Sequence, residues 1–317
     1  ADLTGSSFHT ALLPRADLRG TTLADASFRD ADASEADVRA TDLSGATFSG
    51  TDLSGATLSA AGLAGVDLAD CRFDGASLRE ADLGEAMLTD VSLVDADCTG
   101  CDLTGAVIHK STLREATLAA ADLTDVELTD STLAGADLGR STMMAATLAD
   151  VDAREIDCTG ATISESTLET TDLTDAVLTD ATLADSTVDR STLSGATLSG
   201  ATLSAVSARG TDFADTDFRM ARLTDVDCTG AELSGCGFQD VDLSTVTFAG
   251  AELIDASLRG ADLSGTDCSE ATLTGATLDE CVADGTKFTS ATLTNALIRE
   301  VDLTSATLTD CKLRDAT

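Results

Sequence analysis

Residues 41–55 read Thr41-Asp42-Leu43-Ser44-Gly45-Ala46-Thr47-Phe48-Ser49-Gly50-Thr51-Asp52-Leu53-Ser54-Gly55, three five-residue units with one large apolar residue at the middle of each. Extended in both directions the frame never slips. A central residue falls at Leu3, Phe8, Leu13, Leu18 and every fifth position to Leu313, 63 in all. Forty are Leu, nine Phe, four Ala, four Cys, three Ile, two Val and one Met, so none is polar. Two residues before each centre stands Ala, Ser, Thr, Val or Cys, with Ile156 the one exception. Two columns per unit therefore avoid water, and the other three carry the charge. A period of five matches neither the 3.6 of a helix nor the 2 of a strand, but it fits a short extended step followed by a corner.

The corners have their own signature. Of 25 Gly, 21 lie two after a centre, the third place of a four-residue turn, where a type II turn requires φ > 0. The one Pro, Pro14, lies one after a centre, the second turn position, which its fixed φ suits.

Composition narrows the function. The chain has 317 residues, with 56 Asp+Glu against 19 Lys+Arg and a formal charge of −37, which excludes a nucleic-acid binder. Hydrophobic residues make up 43%, too many for a disordered acidic tail, and no apolar run approaches the roughly 18 residues of a membrane helix. A folded protein without membrane contact is expected. No basic segment followed by an apolar stretch precedes the first unit, so no signal peptide is expected. Trp and Tyr are absent, which argues against a sugar-stacking cleft.

Runs such as Ala81-Asp82-Leu83, Ala121-Asp122-Leu123 and Ala261-Asp262-Leu263 resemble the pentapeptide-repeat family, and the resemblance covers essentially the whole chain. It implies an all-β fold, a right-handed quadrilateral parallel β-helix with four units in each square coil of 20 residues. On that reading residues 1–317 are one domain of nearly 16 coils, about 75 Å long at the strand spacing of roughly 4.8 Å. Asn, which the family often alternates with Asp before the centre, is nearly absent, and Thr is abundant there.

The interior columns pass further checks. Phe8, Phe28 and Phe48 are 20 apart and should stack. Ala153 lies between Val151 and Ile156, and Ala208 follows Val206, which reads as volume compensation. All nine Cys occupy inward columns, none 20 from another, and only Cys98 and Cys101 stand within reach of a disulfide. Buried reduced thiols acting as small hydrophobes are expected, in a cytoplasmic compartment.

No catalytic, cofactor-binding or metal site emerges. His9 and His109 are five coils apart and cannot share a metal. The many hydroxyls have no base and orienting group gathered by spacing. Stacked acids such as Asp82, Asp102 and Asp122 sit about 5 Å apart, yet a convex surface offers no pocket to desolvate them. A non-enzyme that uses no cofactor is expected.

The charge is uneven around the coil. The face with centres Leu3, Leu23 and Leu43 carries −14, and the other three carry −8, −10 and −5. On the first face the column before the centre holds Asp2, Asp42, Asp82, Asp102, Asp122, Asp242, Asp262 and Asp302, opposed only by Arg222. The fourth face carries Arg19, Arg39, Arg79, Arg219, Arg259 and Arg299. Over about 75 Å this is one net charge per roughly 2 Å, against one per about 1.7 Å for duplex DNA. Proteins with grooves built for DNA would be attracted by the same steering and counter-ion release. The resemblance extends to the Qnr and MfpA types of quinolone-resistance protein, held to mimic DNA on type II topoisomerases. It implies DNA gyrase or topoisomerase IV as partner, protection against quinolones or toxins, and those eight Asp as the contact face.

Two other readings stand beside this one. The excess of Asp over Glu (43 to 13) and of Arg over Lys (16 to 3) also suits solubility in high salt, which needs no partner. Strand edges at both ends invite end-to-end dimers or higher assembly, making the chain a structural scaffold. Ten outward positions are Leu, Ile, Val or Met, and Met87 and Val107 are consecutive in one column beside His109, a place for a lateral contact.

Overall fold

The computed structural model describes residues 1–317. Two compact units make up the chain, Ala1–Thr162 and Ile163–Thr317. Each is a parallel β-solenoid without helices, and residues 20 apart pair along it. In the first unit one coil meets the next at Asp2↔Thr22, Ser7↔Ser27, Leu12↔Asp32 and Asp17↔Asp37, which makes four ladders. The second unit repeats the arrangement at Thr187↔Ser207, Thr192↔Asp212 and Thr197↔Asp217, with Thr182↔Thr202 on the fourth ladder.

Backbone hydrogen bonds explain why five residues suffice for a side. The Leu53 N–H donates to Arg72 O in the next coil (2.7 Å), the Asp52 N–H to Ala31 O in the coil before (3.0 Å), and the Gly55 N–H at the corner to Asp74 O (2.9 Å). The Ala56 N–H then closes the turn onto Leu53 O at 3.0 Å. Nearly every polar backbone group is thereby paired between coils or across a corner, leaving side chains to fill the inside.

Centres and small-column residues are buried through the body of both units, and the rings stack as their spacing requires. Phe8–Phe28 and Phe28–Phe48 lie 4.9 and 5.1 Å apart, near parallel, and Phe218–Phe238 lie 4.8 Å apart in the second unit. Ala153 and Ala208 are fully buried beside Val151, Ile156 and Val206.

The small column contains a device that the simple hydrophobic reading missed. Thr211, Thr216, Thr266 and Thr286 each turn a buried hydroxyl onto the carbonyl of the centre 23 residues earlier, as Thr216 Oγ1 does to Leu193 O at 2.8 Å. Cysteines copy the contact. Cys71, Cys101, Cys236 and Cys281 donate S–H to Phe48, Leu78, Phe213 and Leu258 carbonyls at 3.1, 2.9, 2.9 and 2.8 Å. These four are therefore weak donors tying coil to coil as well as fillers. All nine cysteines are free thiols, Cys98 and Cys101 included. Burial pushes the Cys71 and Cys158 thiols up to about 12, so they stay protonated and unreactive.

Corner residues two after the centre adopt positive φ, the glycines and 41 other residues alike, and 26 of those 41 are Asp or Glu. Asp is among the side chains that tolerate this region. Glycine adds a second property at Gly275, where a Cβ would sit 2.1 Å from Asp255 Oδ1, one coil earlier.

Corners come in two kinds. After Leu88 and Ile108 the turn bond is absent, and the N–H of the small-column residue goes to the next coil's serine hydroxyl instead, Val91 to Ser111 Oγ and Ser111 to Ser131 Oγ, both at 3.0 Å. The extended steps here lengthen into three-residue strands, Met87–Thr89, Val107–His109 and Glu127–Thr129. In the second unit Ser166 donates to Ser186 Oγ in the same way at 3.1 Å.

One corner departs from both kinds. Thr245 alone among the corner residues lacks a positive φ, and its Oγ1 accepts the Asp225 N–H at 3.1 Å. No pair joins Arg222 to Asp242, so the ladder opens there. Thr10 and Thr170 keep positive φ with their hydroxyls turned onto the preceding carbonyl, so β-branching alone does not open a corner; the Thr245 hydroxyl is turned to the coil before instead.

Candidate partner-binding face

The eight aspartates named from the sequence fall on one ladder in each unit. In the first unit Asp82↔Asp102↔Asp122 are consecutive partners, Asp42 joins them through Gly62, and Asp2 stands one coil before Thr22. In the second unit Asp242 pairs with Asp262, and Asp302 follows through Val282. Asp262 is half-buried and the other seven are exposed.

Each of the eight holds its own corner. Oδ1 of Asp102 accepts the Thr104 N–H at 2.9 Å, and Asp42, Asp82, Asp242, Asp2, Asp122, Asp262 and Asp302 do the same for the residue two ahead. Where that residue is Thr4, Thr124, Ser264 or Thr304 its hydroxyl donates to the same oxygen. This is the Asx-turn bond, and it accounts for the Asp-Leu-Ser/Thr spelling of the repeat. Hydrogen bonds from Thr4 and Thr304 hold Asp2 and Asp302 below the ordinary carboxylate range, led by the hydroxyls, and Ser44 does so for Asp42, led by its N–H. One carboxylate oxygen is thus spent on the fold, and Oδ2 remains for a partner.

Ion pairing separates the faces more sharply than formal charge. None of the eight aspartates pairs with a Lys, Arg or His side chain, whereas all six arginines of the fourth face have an acid. Arg19, Arg39 and Arg219 grip the Asp two residues back (Asp17, Asp37, Asp217) at 2.6–2.7 Å. Arg79 reaches Asp97 at 3.0 Å, Arg259 reaches Glu280 at 2.7 Å and Arg299 lies 3.8 Å from Asp279. Pairing with Arg19 lowers Asp17 to about 2. The fourth face is therefore locally neutralised, and the first presents bare carboxylates one coil apart. Sequence spacing shows the i, i+2 pairs, but the Arg79 and Arg259 contacts join different coils.

No cluster of His, Cys, Asp or Glu is arranged to hold a metal ion. His9 Nδ1 lies 3.0 Å from Arg29 O, and His109 Nδ1 lies 2.9 Å from Thr129 Oγ1. No helix of the chain is long and apolar enough to cross a membrane.

The family model for pentapeptide repeats (8 copies) matches residues 1–39, 23–59, 34–73, 58–93, 81–118, 121–157, 156–195, 191–227, 227–265, 266–304 and 284–317. The chain belongs to the pentapeptide repeat family. A comparison with curated proteins returned no match. Among solved structures it is similar to a trypsin-treated variant of QnrB1, a plasmid-mediated fluoroquinolone resistance protein, at 18% identity over 60% of this chain and 90% of that one, with a TM-score of 0.37. It is also similar to HetL, a pentapeptide repeat protein involved in heterocyst differentiation regulation from Nostoc sp. strain PCC 7120, at 29% identity over 75% and 90% of the two chains, with a TM-score of 0.20. A pentapeptide repeat protein of the Arabidopsis thaliana thylakoid lumen is 34% identical over 30% of this chain and 69% of that chain, with a TM-score of 0.25. Pentapeptide repeat geometry explains both the five-residue frame and the Asx bond at its corners.

Proposed function

We infer that this pentapeptide repeat protein is a non-catalytic, cytoplasmic protein-binding module that acts as a DNA mimic on a type II topoisomerase, DNA gyrase or topoisomerase IV. Right-handed, square coils of about sixteen in number belong to the same reading. The observation that carries it is the unpaired carboxylate ladder Asp82–Asp102–Asp122, with acids one coil apart and no cation within reach. Its spacing of roughly 4.8 Å is wider than the phosphate spacing along DNA, about 3.4 Å of axis per strand, yet close enough for long basic side chains of a DNA-binding groove to engage successive charges. A general adaptation to salt predicts acids spread without regard to cations; the contrast between a bare first face and a paired fourth face favours a directed use of charge. Residues Asp2, Asp42, Asp242, Asp262 and Asp302 extend the same use in their own units.

The test is gyrase supercoiling with the purified chain, with and without quinolone. Inhibition or relief of poisoning that fades as salt rises is expected. Asp82→Asn, Asp102→Asn and Asp122→Asn together should weaken it more than neutralising Asp17, Asp37 and Asp217. Equal effects would reduce the interaction to bulk charge, and no effect at low salt would remove topoisomerase as the partner.

A further inference from the structure

The first unit carries a second surface, on the side next to the carboxylate ladder, where an apolar pair adjoins an acidic groove. Met87 and Val107 are register partners pointing outward, Met87 51% exposed, and the column continues to Glu127. They stand on the three strands whose corners lack the turn bond. Because those corners are held by serine hydroxyls and not closed on themselves, the surface beyond them opens into a groove of about 580 Å³. Val91, Ser111 and Ser131 form its floor. Asp90, Lys110, Asp130 and Asp150 follow one rim, and Asp152, held by Arg154 at 2.8 Å, ends the other, a balance of −2 from four acids, one lysine and that arginine. His109 stands on the ridge between the apolar pair and the groove, 3.6 Å from Asp130.

We propose that this surface docks an extended segment of a partner protein in which an apolar residue is followed two positions later by Arg or Lys. Exposed apolar side chains adjoining a polar groove mark a contact site when the two lie together, and here the chain interrupts its charged exterior with both. The groove's net negative charge selects a cation, and a guanidinium or ammonium at the end of a flexible stem reaches it while its own backbone lies over the strands. Same-face side chains in an extended segment are roughly 6.6 Å apart, and the Met87 and Asp90 columns are three residues apart across a corner, where Asp90 has φ 55°, hence closer than the roughly 10 Å of extended chain. The reach of a long basic side chain closes the difference. Extended chain is the fitting conformation because the floor hydroxyls are already committed to Leu88 O and Thr129 O, so specificity falls to side chains.

A displayed library of seven-residue peptides, selected on the full chain at 50 mM salt and counter-selected on the Met87→Ser/Val107→Thr variant, reads this directly. Selected peptides should be enriched in an apolar residue with Arg or Lys two positions on. By fluorescence anisotropy they should lose at least fivefold in affinity on Met87→Ser/Val107→Thr and on Asp90→Asn/Asp130→Asn. Only the second pair should flatten the salt dependence. All four positions lie outside the buried interior, and an unchanged melting temperature confirms that each variant folds. Asp82→Asn/Asp102→Asn/Asp122→Asn should change the affinity less than twofold, which separates this surface from the topoisomerase reading. Peptides that bind wild type and both variants equally, enrichment of basic residues with no apolar partner, or no enrichment at all would overturn the proposal.

Discussion

Replacing Asp102 with Asn should stabilise the protein at low salt and destabilise it slightly at high salt. Asp102 has Asp82 and Asp122 as register partners, one coil to either side. At roughly 5 Å and the dielectric of water, each like-charge pair costs about 0.8 kcal/mol, so the two neighbours cost about 1.5 kcal/mol with little screening at 10 mM salt. The amide keeps an Oδ1 that accepts the Thr104 N–H, now at 2.9 Å from the carboxylate, but a neutral acceptor gives up about 0.5–1 kcal/mol of the charge-assisted bond. The balance is a gain of about 0.5–1 kcal/mol at 10 mM. At 1 M salt, where the screening length falls to about 3 Å, the repulsion vanishes and a loss of about 0.5–1 kcal/mol is left. Urea unfolding followed by circular dichroism at the two salt concentrations measures both. Asp267→Asn is the control, because Asp267 lies between Thr247 and Lys287, has its ammonium partner at 3.4 Å and should lose stability at either salt. A loss of equal size at 10 mM and 1 M for Asp102→Asn would refute the claim that the ladder is held at a cost to the fold. Stabilisation at 10 mM that reverses at 1 M would support the reading of the ladder as a partner-binding surface.

Three further outcomes follow from the same structure. Thr216→Val should cost about 1 kcal/mol in urea unfolding, because Leu193 O loses the hydroxyl but keeps the Ala196 N–H, while Thr216→Cys retains a donor as Cys236 does in the next coil; an equal loss for Val and Cys would show that the side-chain bond contributes nothing. Thr245→Gly should let the corner adopt positive φ and restore the ladder, raising stability by about 1 kcal/mol and slowing amide exchange at Leu223 and Asp242; unchanged exchange would place the cause of the opening elsewhere. Asp17, Asp2 and Asp302 have folded-state pKa values below the ordinary value of 3.8, Asp17 at about 2, so their contribution is complete above about pH 4 and is lost as pH falls from there towards 2. Arg19→Gln together with Asp17→Asn should therefore shallow the loss of stability between pH 4 and 2, and an identical acid transition would contradict the assignment.

The five-residue frame made the fold legible because a solenoid repeats one local rule. An apolar centre and a small residue two before it share the inside of an extended step, and each corner's φ is marked by Gly or Asp. The stacking of Phe8, Phe28 and Phe48 and the register of Asp82, Asp102 and Asp122 follow from counting by twenty. Counting did not disclose the role of the Asp before each centre as a corner brace, although the Ser or Thr two positions on was its visible signal. Nor did it disclose the thiol bonds to carbonyls, since a Cys in an inward column reads as a plain filler.

Sequence alone determined which residues face inward, where the chain turns and which family it belongs to, because those depend on interactions within five residues or at a fixed spacing of twenty. The tertiary structure decided which charges stand bare, which corners open and where a groove forms. Those depend on where flexible side chains settle between neighbouring coils: Arg79 crosses to Asp97, Ser111 takes the Val91 N–H, and nothing crosses to Asp102. A periodic sequence fixes the backbone lattice, whereas the competition among side chains for partners is resolved only once the coils lie side by side.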